Sequence, residues 1–145
     1  MSGQEVYVID AARFVSLDAV SKPGVRVGAK QGTTGEAFAR ESLAAASLVG
    51  YPNSDALFTA LDARAIDAAV ADGLVGRDMI LRKKVRAPLV SVERRRVTSE
   101  SIAIAVRQGD TDWTDYVSLV LRESRSAGRF HRMARRYNAW LRAER

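Results

Sequence analysis

The chain has 145 residues, 47% of them hydrophobic, and no cysteine. That composition supports a packed core and excludes wholesale disorder, a disulfide framework, a thiolate metal site and a cysteine nucleophile. The formal charge is +6, concentrated in "LRKKVR" (81–86), "ERRRV" (93–97) and the C-terminal stretch. Such a balance permits nucleic acid or an acidic membrane surface as partner, but arginines scattered over helix faces are the commoner solvated surface, and no nucleic-acid partner is expected. No apolar run approaches the ~20 residues of a membrane span, and the first residues lack the basic-then-apolar pattern of a secretory leader.

Taken in chain order, "EVYVI" (5–9) reads as a strand and "SLDAV" (16–20) as a short helical turn. Pro23-Gly24 turns the chain into "VRVGA" (25–29), a strand that ends at Gly32. Thr33-x-x-Glu36 has the spacing of a capping box, so a helix opens at Thr34 and carries Phe38, Leu43 and Ala46 inward, stopping near Gly50. "YPNS" (51–54) is extended, with Ser54 as the cap of a helix that places Leu57, Ala60 and Leu61 on one face. "IDAAVAD" (66–72) is a second buried strand closed by Asp72-Gly73, followed by a helix over about 74–84 and an extended "PLVSV" (88–92). "SIAIAVR" (101–107) alternates, with Ile102, Ile104 and Val106 on one side, as a strand would. Two amphipathic helices follow. Trp113, Tyr116, Val117, Val120 and Leu121 line one, and Phe130, Met133, Tyr137, Trp140 and Leu141 the other, with a break at Ala127-Gly128. Alternating strands and helices at this spacing predict an α/β fold with a largely parallel sheet.

Catalytic chemistry is thinly represented. The only histidine, His131, lies among arginines early in the last helix with no carboxylate or serine at suggestive spacing, so it reads as a surface or half-buried side chain and not as a catalytic base. The carboxylates are not grouped with calcium spacing, and Gly24, Gly28 and Gly32 make neither a dinucleotide nor a P-loop fingerprint. Neither a metal, a cofactor nor a catalytic residue is expected. Two binding features stand out. The helix start at Gly32-Thr33-Thr34 offers unpaired amides and two hydroxyls to an anion. Asp72 stands where a strand ends and a helix begins, a position that suits either a helix cap or a ligand cation. In open α/β sheets ligands sit at the carboxyl ends of strands, and a zwitterion would suit this pair.

The order "SLDAVSKPGVRVGAKQGTT", "YPNSDALFTALDARAIDAAVAD", "SIAIAVRQGD", "SAGRFHRMARRYNAW" resembles the family 3 extracellular solute-binding proteins. These are the amino-acid-binding components of bacterial ABC transporters, with the type II periplasmic-binding-protein fold. The likeness runs over about residues 13–141 and matches the second lobe plus the C-terminal tail. The resemblance implies a three-layer α/β lobe over 1–107, with hinge strands, and a helical tail over 108–145 that packs on the first lobe. It implies that Gly32, Thr33 and Thr34 take the ligand α-carboxylate and Asp72 the α-ammonium, with no turnover. It also implies an ABC-transporter permease as partner and a periplasmic or extracellular location. The first lobe, which in the family adds an aromatic clamp and an arginine, has no counterpart in this sequence. Two outcomes are therefore expected: a homodimer covering the apolar faces of the last helices, with helix exchange as one form of it, and weak ligand capture by a single lobe. The alternatives are an interaction or sensor module that keeps the fold without free-ligand binding, and an enzyme on the same fold.

Overall fold

The computed structural model describes residues 3–82 and 84–143, apart from the side chains of residues 94, 138 and 140–143. The chain divides into two compact units, residues 1–102 and 103–145. In the first unit a five-stranded sheet is built from β1 (Gln4–Val8), β2 (Arg26–Lys30), β3 (Ser47–Tyr51), β4 (Ala68–Asp72) and β5 (Val90–Ser91), in the order β3-β2-β4-β1-β5. Helices α1 (Leu17–Val20), α2 (Thr34–Ser42), α3 (Ser54–Asp62) and α4 (Gly73–Leu81) connect them. β2 pairs in parallel with β3 and β4, whereas β1 runs antiparallel to β4 and β5. Four of the five strands thus run one way and β1 alone runs against them, so the largely parallel sheet read from the sequence carries one reversed strand.

The alternation of side chains along each strand sorts the interior into two cores. Val6, Val8, Val27, Ala29 and Val70 face one side with Phe14, Val20, Ala39 and Leu43. Tyr7, Ala69 and Ala71 face the other with Leu57, Phe58, Leu61 and Met79. Helices thus cover both faces of the sheet, the three-layer α/β architecture read from the sequence. Phe58 meets Tyr7 edge-on, ring centroids 5.8 Å apart. A Cβ at Gly76 would fall 2.0 Å from the Tyr7 ring, so only glycine lets α4 lie this close to β1.

Three elements differ from the sequence reading. α2 stops at Ser42, and 47–51 is an edge strand instead of helix, because pairing with β2 (Arg26↔Ser47 to Lys30↔Tyr51) outweighs the helix propensity of the alanines before it. Asn53, not Ser54, caps α3, its Oδ1 accepting from the Ala56 amide at 2.8 Å. The alternating run 101–107 is not a strand. Ile102 and Ile104 are exposed, and alternation makes a strand only where a neighbouring edge bonds its amides. In the second unit α5 (Thr111–Ser126), capped by Asp110, and α6 (Arg129–Ala143) are joined at Ala127-Gly128 as expected. The side chains of Trp140 and Leu141, assigned above to the apolar face of α6, lie outside the described residues.

At the end of the sheet where β2 and β4 begin, Asp67 ties the strands together. Arg26 donates to it from its backbone amide at 2.9 Å and from its guanidinium at 3.1 and 3.3 Å, and Arg13 approaches at 3.5 Å. Burial pushes the Asp67 carboxyl up, but the Arg26 hydrogen bonds and the two positive charges outweigh it and hold the group below its ordinary value. A carboxylate depressed in the folded state adds stability above its unfolded-state value of 3.8 and loses it as pH falls through the lower folded value. Asp67→Asn should therefore cost up to about 1 kcal/mol at neutral pH, kept small by the solvent around the arginines. Urea denaturation of parent and variant should show this gap closing as pH falls from about 7 to about 2; a gap independent of pH would mean that shape, not charge, matters at this position.

Candidate functional site

At the opposite end of the sheet, where β2 and β4 finish, a cavity of about 240 Å³ opens between the starts of α2 and α4. Thr33, Thr34 and Asp72 all line it. The sequence placed these residues 38 positions apart along the chain (72 − 34); parallel pairing of β2 with β4 brings them to one rim. Leu57 and Val75 form apolar wall, and Lys30, Gln4 and Glu100 complete the polar lining that bears on binding.

Each of these groups is held by a local rule. Gly32 has φ +69°, in the left-handed region that favours glycine, and open space where a Cβ would sit. Thr33 is the N-cap of α2, its Oγ1 accepting from the Glu36 amide at 3.4 Å while its hydroxyl donates to the Lys30 carbonyl at 2.6 Å. Glu36 returns the contact, but to the amide of Gly32 (2.8 Å) and not to that of Thr33, a capping box displaced by one residue. The helix geometry leaves the Thr34 and Gly35 amides without intrahelical acceptors. The Thr34 hydroxyl donates to Glu100 at 3.4 Å and accepts from the Gln4 side-chain amide at 3.0 Å. Asp72 caps α4, Oδ1 accepting from the Leu74 amide at 2.7 Å. The capping alternative is thus realised in the structure. A carboxylate has about four acceptor positions, so a cap bond and a ligand contact are compatible.

Gln4 and Glu100 were not singled out in the sequence. Gln4 opens β1, and a sheet read as parallel puts it at the far end; the antiparallel register Gln4↔Asp72 puts it at the cavity. Its side-chain amide, nearly buried, bridges Thr34 and Glu100. Glu100 reaches the rim because the segment before it is tied to β1: the Val97 amide donates to the Gln4 carbonyl, and the Gln4 amide to Thr98 Oγ1, both at 2.8 Å. No motif announces this contact, which spans 96 positions of chain. Beneath α4, Glu5 is buried and accepts from the Tyr7 hydroxyl at 3.1 Å; burial first, then the Glu5 charge, pushes that hydroxyl above its ordinary range. Tyr7 remains a neutral phenol that braces the floor of α4.

A second cavity, about 260 Å³, lies beside Arg13, Arg26, Arg64 and Asp67 at the other end of the sheet. Arg13 and Arg26 already pair with Asp67 there, so it offers a ligand less than the rim at Thr34 and Asp72. Among the described residues no cluster of His, Asp or Glu has the geometry of a metal site, and no helix is long and apolar enough to cross a membrane.

No family model matches the chain. The chain is similar to the lysine/arginine/ornithine-binding periplasmic protein of Escherichia coli, 28% identical over 123 residues, covering 81% of this chain and 47% of that protein. The histidine-binding periplasmic protein of Escherichia coli is 26% identical over 145 residues, covering 92% of this chain and 56% of that protein. Among solved structures, an ancestral amino-acid-binding protein described as a precursor of cyclohexadienyl dehydratase superposes with a TM-score of 0.76 at 26% identity, over 94% of this chain and 58% of that one. The chain spans about half the length of the relatives it matches. The resemblance to family 3 solute-binding proteins read from the sequence holds, and the fold is the type II periplasmic-binding-protein fold.

Proposed function

We propose that this chain is the amino-acid-binding second lobe of a solute-binding protein, working by reversible capture without turnover. The observation that carries the reading is that Thr33, Thr34 and Asp72 line one cavity at the carboxyl ends of parallel strands. Amides of Thr34 and Gly35 at the start of α2 would take the α-carboxylate, with the threonine hydroxyls beside them, and Asp72 the α-ammonium. Relatives named for lysine, arginine, ornithine and histidine support an amino acid as ligand. By the same relationship the chain would act in the periplasm or outside the cell and deliver ligand to an ABC-transporter permease. A second reading has one observation behind it: a neighbour of the same fold is described as a precursor of a dehydratase. In that case the cavity carboxylates would serve an elimination in place of simple capture. Turnover of a candidate substrate under conditions where amino acids bind without change would separate the two.

On α5 and α6, Trp113, Tyr116, Leu119, Phe130, Met133 and Tyr137 are exposed, with Trp113 stacked on Tyr116 at 5.4 Å. An apolar surface of this kind is seldom left in water by a soluble chain. We propose that it is covered by a second copy, either face to face or by exchange of the C-terminal helices. Light scattering at high micromolar concentration should give twice the 15.9 kDa chain mass, with tryptophan fluorescence shielded from quencher. A 15.9 kDa species with freely quenched tryptophan would sink both forms.

The ligand role of Asp72 can be separated from its cap. Asparagine caps about as well as aspartate, so Asp72→Asn should leave the melting temperature nearly unchanged. A charge-assisted hydrogen bond is worth roughly 1.5–3 kcal/mol, so amino-acid affinity should fall about tenfold or more. One lobe makes only part of the contacts of an enclosed site, which puts parental Kd at roughly millimolar. Calorimetry and thermal melts on the same samples decide it: unchanged melting with unchanged affinity leaves Asp72 a helix cap alone.

A further inference from the structure

The Glu100 carboxylate engages the Thr34 hydroxyl at the start of α2, one of the donors assigned above to an incoming carboxylate. It lines the same cavity as Thr34 and Asp72. Its Oε2 accepts from the Thr34 hydroxyl at 3.4 Å, and its Oε1 accepts from Gln4 Nε2 and from the Thr98 hydroxyl, each at 3.1 Å. The hydrogens can be accounted for one by one. A side-chain amide has two, and those of Gln4 go to Glu100 and to the Thr34 oxygen. A hydroxyl has one, and that of Thr34 is turned to Glu100. The Thr98 oxygen is itself fixed by the Gln4 backbone amide at 2.8 Å. Gln4, the hub of this arrangement, is only 4% exposed.

We propose that Glu100 is a resident competitor of the ligand carboxylate and a specificity residue of the site. This inference rests on the amino-acid-binding reading above. While the Thr34 hydroxyl serves Glu100 it cannot serve a ligand, and a ligand carboxylate arriving there meets a like charge at close range. Tight capture of a carboxylate that uses the Thr34 hydroxyl therefore requires Glu100 to be displaced. An amine has no use for the Thr34 hydrogen and is attracted by Glu100. The cavity discriminates against additional negative charge, so a dicarboxylic amino acid is the ligand it should take least readily.

The test uses Glu100→Gln in the full chain, with calorimetric titration of L-lysine and of 1,5-diaminopentane, the same molecule without its carboxylate. Glutamine keeps an acceptor for Gln4 and Thr98 and removes the charge. The L-lysine Kd should fall about tenfold or more, the scale of one lost like-charge contact near a protein surface, while 1,5-diaminopentane binds equally or more weakly. Glu100→Ala should move L-lysine the same way and provides the measurement if the glutamine variant does not fold. Unchanged or weaker L-lysine binding by the variants, beside a parent that binds, overturns the role of Glu100 alone. Equal tightening of both probes overturns it too, because that reports easier access and not relief of competition. Cooperative melting of all three proteins with no L-lysine binding by any of them removes the amino-acid reading and this inference together.

Discussion

The antiparallel seating of β1 against β4 is the constraint from which the rest follows. All five residues of β1 are buried, and the strand lies between β4 and β5. Register Gln4↔Asp72 to Val8↔Ala68 sends Val6 and Val8 into one core and Tyr7 into the other. A slip of one residue would reverse every one of these assignments. Tyr7 in turn sets the distance to α4, since its ring fills the space where a Cβ of Gly76 would stand. The same register carries Gln4 to the rim of the cavity, where its side chain joins α2 to Glu100. Packing and site thus depend on one strand pairing.

The site is made of groups that already have structural work. Thr33 and Asp72 cap two of the helices whose starts form the rim. Glu36 braces the Gly32 turn, and the Thr34 hydroxyl is engaged by Gln4 and Glu100. Helix caps are suited to this double use, because the first amides of a helix lack partners within it and point away from the helix body. What distinguishes this cavity from an ordinary pair of caps is convergence: the starts of α2, α3 and α4, two carboxylates and a lysine border one space of about 240 Å³. Charge is distributed unevenly as well. A chain of net charge +6 keeps Asp72 and Glu100 at this rim. At the opposite end of the sheet the arginines are gathered around Asp67.

Much of this was legible in the residues. The helix start at Thr34, the short turn of helix after Ser16, the buried strand before Asp72 and the two C-terminal helices all follow from caps and periodicity, which are rules of near neighbours. The resemblance in segment order carried the fold class. Gln4 and Glu100 stayed hidden for a definite reason: each reaches the cavity through contacts spanning 30 to 96 positions of chain, and no local pattern encodes such a contact. The misread pieces have the same origin. Residues 47–51 become a strand because the edge of β2 stands ready to pair with them, and 101–107 does not, because alternation alone supplies no partner for its amides.

The sequence by itself determined most of the helices and strands and where two helices would begin, and it marked Gly32, Thr33, Thr34 and Asp72 as candidates to meet a small charged solute. Those conclusions need only the chain's own near neighbours: hydrophobic period, capping spacing and the conformational freedom of glycine. Only the tertiary structure decided that β1 runs against β4, that Gln4 therefore faces Asp72, and that Glu100 stands over the Thr34 hydroxyl. Strand direction and register are set by which hydrophobic face can be buried against both helix layers at once, a choice made by the whole core and by no segment of it alone.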